Sequence, residues 1–84
     1  MKINKQYIEN QLTKLNLIKY VIFVEVKNGY KEVKTWTRLV KNISNDNKNI
    51  ILSLIKNLIT SEGYKINTLG ESPSNLSIHG KKEI

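Results

Sequence analysis

Residues 17–41 read LIKYVIFVEVKNGYKEVKTWTRLVK, and the fold is decided by how this stretch turns back on itself. Asn28-Gly29 is its strongest hairpin signal, because both residue types accept the positive φ of a two-residue type I′ turn. A turn centred there sets opposite each other residues whose numbers sum to 57. One face would then pair Ile18 with Leu39, Tyr20 with Thr37, Ile22 with Thr35 and Val24 with Val33, which reads as a core face. The other would pair Lys19 with Arg38, Val21 with Trp36, Phe23 with Lys34, Glu25 with Glu32 and Lys27 with Tyr30. This second face mixes cations with aromatic rings. A β-bulge would exchange the faces of one strand, because side chains alternate with a period of two. The second strand is polar, with Lys31, Glu32, Lys34, Thr35, Thr37 and Arg38, so an edge position or a bend is expected for it.

Outward from the hairpin, the periodicity changes to helical on both sides. Ile3, Tyr7, Ile8, Leu12 and Leu15 share one face of a helix over residues 3–16, which Asn16 can end. Residues 42–49 are rich in Asn, Ser and Asp, which bond their own backbone and favour loops. Asn45, Asp46 or Asn47 is expected to cap a second helix over residues 47–62. Its apolar stripe is Ile50, Ile51, Leu54, Ile55, Leu58 and Ile59, with Lys48, Ser53, Lys56, Asn57 and Thr60 opposite. Gly63 suits the left-handed residue that closes such a helix. Residues 64–79 then alternate as a second hairpin around Gly70-Glu71-Ser72-Pro73-Ser74, and residues 81–84 read as a frayed tail. The expected class is α+β: one domain over residues 1–84 in the order α-β-β-α-β-β. Its four-stranded, mainly antiparallel sheet carries both helices on one face.

Composition narrows the function classes. With no cysteine, neither disulfides nor cysteine-based zinc sites are available, and the core must come from 12 isoleucines and 9 leucines. No apolar run approaches the roughly 18–20 residues that span a bilayer. Met1–Leu12 alternates polar and apolar residues, so neither a signal peptide nor membrane association is expected, and the expected location is cytoplasmic. The net charge of +7 suggests a polyanionic partner. Thirteen lysines to one arginine, 11 asparagines and no alanine also fit A/T-rich codons, as in a low-GC microbe, phage or plasmid. Codon bias supplies lysines, but it does not explain why only seven acids balance them.

Catalytic machinery is not expected. The chain has one His, one Asp and six Glu, with no Gly-rich phosphate loop and no His-x-x-x-His. Glu25 and Glu32 would face each other across the expected hairpin, but two carboxylates fall short of the six or so oxygens a hard cation takes. Lys27 and Lys34 are expected to neutralise them as diagonal neighbours. No metal or other cofactor is therefore expected. His79 shares a strand face with Ser77 and Asn75, opposite Leu76 and Ile78. The run Ser61-Glu62-Gly63-Tyr64-Lys65-Ile66, leading into the hairpin that bears His79, resembles hic-type mRNA interferase toxins, which implies RNA cleavage at a histidine. The Gly-Ser-His run of that family is replaced here by Ser77-Ile78-His79-Gly80, and the preceding helix–hairpin half has no counterpart. The expectation is a surface histidine and no enzyme.

The candidate binding residues are those of the basic-aromatic face: Lys19, Phe23, Lys27, Tyr30, Lys34, Trp36 and Arg38. Rings among cations on a β-sheet can hold single-stranded nucleic acid, by base stacking and phosphate attraction. A two-stranded ribbon can also enter a DNA major groove. The same residue types make protein hot spots, self-association into a homodimer included. Val21, Phe23 and Trp36 could instead form a second small core beneath the first helix or the tail. The expected function is a non-enzymatic binding module associated with nucleic acid. The alternative is a protein-binding regulator from a mobile element, such as an inhibitor of a host defence nuclease complex, whose partner is a host protein or nucleoprotein complex.

Overall fold

Asn4 starts the first helix, α1 (Lys5–Lys14), by accepting the Tyr7 N–H on its side-chain oxygen at 2.8 Å. The helix stops where Asn16 takes a left-handed φ of 59°. There Leu17 N–H reaches Leu12 O at 2.8 Å and Asn16 N–H reaches Thr13 O at 3.0 Å, a complete Schellman closure. The second helix, α2 (Asn45–Ser61), closes in the same way at Gly63, φ 91°, with Tyr64 N–H on Ile59 O and Gly63 N–H on Thr60 O. Its N-cap is Ser44, whose Oγ accepts from Asn47 N–H at 3.1 Å, rather than any of the three expected residues one to three positions later.

The computed structural model describes residues 3–83. Between the helices run β1 (Val21–Gly29) and β2 (Glu32–Leu39), and after α2 come β3 (Lys65–Ser72) and β4 (Asn75–Lys81). The sheet is antiparallel throughout, in the order β1-β2-β4-β3, so the expected element order and class hold. Both helices lie on one face, α1 over β1 and α2 over β3 and β4. Ile8 and Leu12 of α1, with Ile51, Ile55 and Ile59 of α2, are fully buried against Val24, Val33, Leu39, Leu76 and Ile78 of the sheet. Each such side chain contributes about 1.5–3 kcal/mol of hydrophobic stabilisation.

The first hairpin differs from its expected form in three ways. The turn is Tyr30-Lys31, not Asn28-Gly29, and Lys31 adopts the left-handed φ of 58°. Asn28 instead donates from its side-chain amide to Ile3 O at 3.0 Å, and Gly29 lies under the Glu32 side chain. Opposed residues therefore sum to 61, as in Val24 with Thr37 and Lys27 with Lys34, rather than 57. The slip is four residues, an even number, so the alternation of faces survives it. The exception is a bulge at Ile22, which turns Val21 to the core side opposite Leu39 and leaves Ile22 60% exposed. Ile18–Tyr20, expected in the ladder, form a short 3-10 helix.

Other expectations fail for reasons of packing. β2 is a central strand, not an edge. Its polarity has two sources: one face is uncovered, and two threonines sit in the core. Lys48, expected on the wet side of α2, is 9% exposed. Its Nζ lies 3.3 Å from Glu71 Oε2 and 3.4 Å from Ser72 O, tying the start of α2 to the end of β3. Ile50 and Leu15, expected on apolar stripes, are about half exposed, at 49% and 53%. Lys81, expected in a frayed tail, belongs to β4, and Lys82 N–H bonds Lys31 O at 2.8 Å; Ile84 lies outside the described residues.

Two core positions generate tests. Thr35 Oγ1 donates to Ile78 O at 3.0 Å, whereas the buried Thr37 hydroxyl has no hydrogen-bond partner among the described residues. Leaving a buried polar group unpaired costs about 1–3 kcal/mol. Thr37→Val is therefore expected to be more stable than Thr35→Val by at least about 1 kcal/mol in urea denaturation, the reverse order being the contrary result. Gly80 sits where a Cβ would stand 2.8 Å from Ile59 Cγ2 and 2.9 Å from Tyr64 Cβ, so α2 rests on β4 there without a side chain between. Gly80→Ala is expected to lower the unfolding free energy by about 1–3 kcal/mol, read from the same denaturation curves.

Candidate nucleic-acid interface

Residues directly opposed in a ladder project to the same side of the sheet. Carried from β1 through β2 and β4 to β3, the pairings lay out the uncovered face as four rows. These are Phe23–Arg38–Asn75–Ser72, Glu25–Trp36–Ser77–Gly70, Lys27–Lys34–His79–Thr68 and Gly29–Glu32–Lys81–Lys65. Five of the seven expected binding residues, Phe23, Lys27, Lys34, Trp36 and Arg38, are thus together on this face. Lys19 is not. It lies in the 3-10 helix before β1, with its Nζ 5.4 Å from the Tyr20 ring centroid. Tyr30 is at the hairpin tip, 87% exposed, with Lys31 Nζ 4.9 Å from its ring centroid.

Neighbouring side chains, not a helix, half-bury Trp36. Its ring meets the His79 imidazole edge-on, at 5.4 Å between centroids and 75° between planes. Ser77 Oγ and His79 Nε2 are 3.3 Å apart, with the direction of the bond set by the imidazole tautomer. Phe23 is 41% exposed at the far end of the face. The small second core considered from sequence does not form: Val21 joins the main core, while Phe23 and Trp36 stay on the open side.

Like charges are opposed on this face. Lys27 stands directly opposite Lys34, and His79 follows on the next strand. Lys65 stands opposite Lys81, although Lys65 Nζ is paired with Glu83 Oε1 at 3.0 Å. Like charges opposed in a ladder destabilise it. The expected opposition of Glu25 and Glu32 does not occur. Glu25 faces Trp36, Glu32 faces Gly29, and neither forms a salt bridge to Lys27 or Lys34 among the described residues. Across the four rows five Lys or Arg side chains meet two carboxylates.

The second hairpin's share of this face was only half legible. Alternation places Asn75, Ser77, His79 and Lys81 on one side of their strand. That this side adjoins Trp36 and Lys34 follows from β4 pairing with β2, for which no local signal exists. A polar recess of about 240 Å³ opens here, lined by Lys34, His79, Lys81, Glu32, Thr68 and Asn67 among others. On the helical side a more apolar groove of about 400 Å³ lies between Leu15 of the α1 C-cap and Ile50 and Leu54 of α2. Among the described residues no group of three or more His, Asp or Glu side chains is gathered as a metal site would need, and no helix is long and apolar enough to cross a membrane. Comparison with protein-family models, curated proteins and solved structures returns no match to this chain.

Proposed function

We propose that the protein is a binding module for single-stranded nucleic acid and that the uncovered sheet face is its contact surface. The observation that carries this reading is the row Lys27–Lys34–His79 beside Trp36. Codon bias accounts for a high lysine content, but not for lysines opposed in a ladder, where they weaken the fold that holds them. A polyanion laid across the row relieves that repulsion. Lys27, Lys34 and Arg38 attract phosphates, while Trp36 and Phe23 offer ring surface on which bases stack, at about 1–3 kcal/mol per base. An open four-stranded face suits an extended single strand better than a duplex, since an α-helix or a two-stranded ribbon is what enters a major groove.

Fluorescence anisotropy with mixed-sequence single-stranded oligonucleotides tests this directly. The logarithm of affinity is expected to fall linearly with that of salt, each phosphate contact adding about −0.7 to the slope. Lys27→Gln and Lys34→Gln should each remove about one such increment, and Trp36→Ala should weaken binding by about 1–3 kcal/mol. No binding at about 50 mM salt would overturn the reading. The rival, a protein-binding regulator, has the groove at Leu15, Ile50 and Leu54 in its favour. A pull-down with and without nuclease separates the two. Loss of partners after nuclease supports nucleic acid, and a stoichiometric protein retained after it supports the regulator.

A further inference from the structure

The recess beside His79 is built by an irregularity in β3. Ile66 opposes Gly80 and Thr68 opposes His79, so Asn67 is an extra, bulged residue. Bulges re-aim side chains and break local pairing, and here Asn67 and Thr68 both line the recess. Val33 and Gly80 complete the lining, and the Val33 side chain is buried in the core. The space of about 240 Å³ has room for several waters, enough for a small polar group and its nearest atoms.

The charges around this space are one-sided. Lys34 and Lys81 form no salt bridge among the described residues. Glu32 is the one carboxylate in the lining, and it leans away from β4. Its Cγ and Oε1 lie 3.0 Å from where a Cβ of Gly29, on β1, would stand. Two lysines, a histidine, a threonine and an asparagine thus line one small volume with a single glutamate, a set rich in donors. A phosphate monoester brings about −1.5 to −2 charges and three acceptor oxygens, whereas a phosphodiester within a strand brings a single charge. The higher charge and extra acceptor oxygen of the monoester fit this cationic lining better than those of a diester.

We propose that the recess binds a phosphate monoester between Lys34 and Lys81, with Thr68 and Asn67 as further donors. On the nucleic-acid reading, on which this inference rests, the monoester is the terminal phosphate of a strand whose neighbouring base reaches Trp36 across His79.

The experiment compares one short oligonucleotide with a 5′-phosphate, a 3′-phosphate or hydroxyls at both ends, by anisotropy, alongside amide-shift titration with inorganic phosphate. One phosphorylated form is expected to bind about tenfold more tightly than the hydroxyl-ended strand, the ratio one charge-assisted hydrogen bond supplies. Lys81→Gln and Thr68→Val should each weaken the phosphorylated strand more than the hydroxyl-ended one, and so reduce that ratio. Both positions are exposed, so the fold should persist, as circular dichroism would verify. Glu32→Gln should raise the ratio, an effect that a merely structural role would not produce. Equal affinity for all three strands, with binding intact, overturns the monoester pocket and leaves the nucleic-acid reading standing. Phosphate-induced shifts at Asn67, Thr68, His79 and Gly80 without strand binding keep the pocket and overturn the nucleic-acid reading. If phosphate moves none of these amides, the pocket is refuted.

Discussion

The ladder between β2 and β4, running from Glu32 opposite Lys81 to Arg38 opposite Asn75, holds the whole molecule in register. Each hairpin alone is marginal, since two strands bury too little to persist in water. Joined edge to edge, they make one sheet with one apolar side, and that side has room for two helices. The same ladder makes Gly80 necessary. Its bare backbone lets the end of α2 and Tyr64 descend onto the sheet beside Val33.

Two helices cover one side of a four-stranded antiparallel sheet and leave the other to solvent, as such two-layer folds do. What distinguishes this open side is its content. A face needed only for solubility would alternate charge signs across strands, because opposed unlike charges support the ladder. Here lysine meets lysine on β1 and β2 and again on β3 and β4, and the face's one tryptophan lies among them. The Glu32 carboxylate, in reach of neutralising Lys81, lies over Gly29 instead. Like charges so opposed add nothing to a ladder, so the stability of this one comes from its buried side.

Asn28-Gly29 teaches how local preference yields. Its composition favours a turn, yet it lies within β1, where Asn28 anchors Ile3 and Gly29 makes space for Glu32. The turn falls two residues later and places the less suited Lys31 in the left-handed region. Backbone bonds from beyond the hairpin accompany that choice, with Lys82 N–H on Lys31 O and Leu39 N–H on Ser74 O. The face assignment nevertheless survived from Phe23 to Leu39, because a four-residue slip preserves parity. Lys48 shows the opposite failure. Its place on a helical wheel looked solvent-facing, and only Glu71 and Ser72, more than 20 residues away, explain its burial.

By itself the sequence determined the order of elements, the residues that end both helices, and which side chains of β2 and β4 share a face. These depend on φ preferences and periodicities that act over a few residues. Tertiary structure alone decided the position of the turn, the bulges at Ile22 and Asn67, the central place of β2, and the meeting of Trp36 with His79. The reason is separation along the chain. Lys34 and His79 become neighbours through a ladder that closes only when the second hairpin docks, and no short-range property of either segment encodes that pairing.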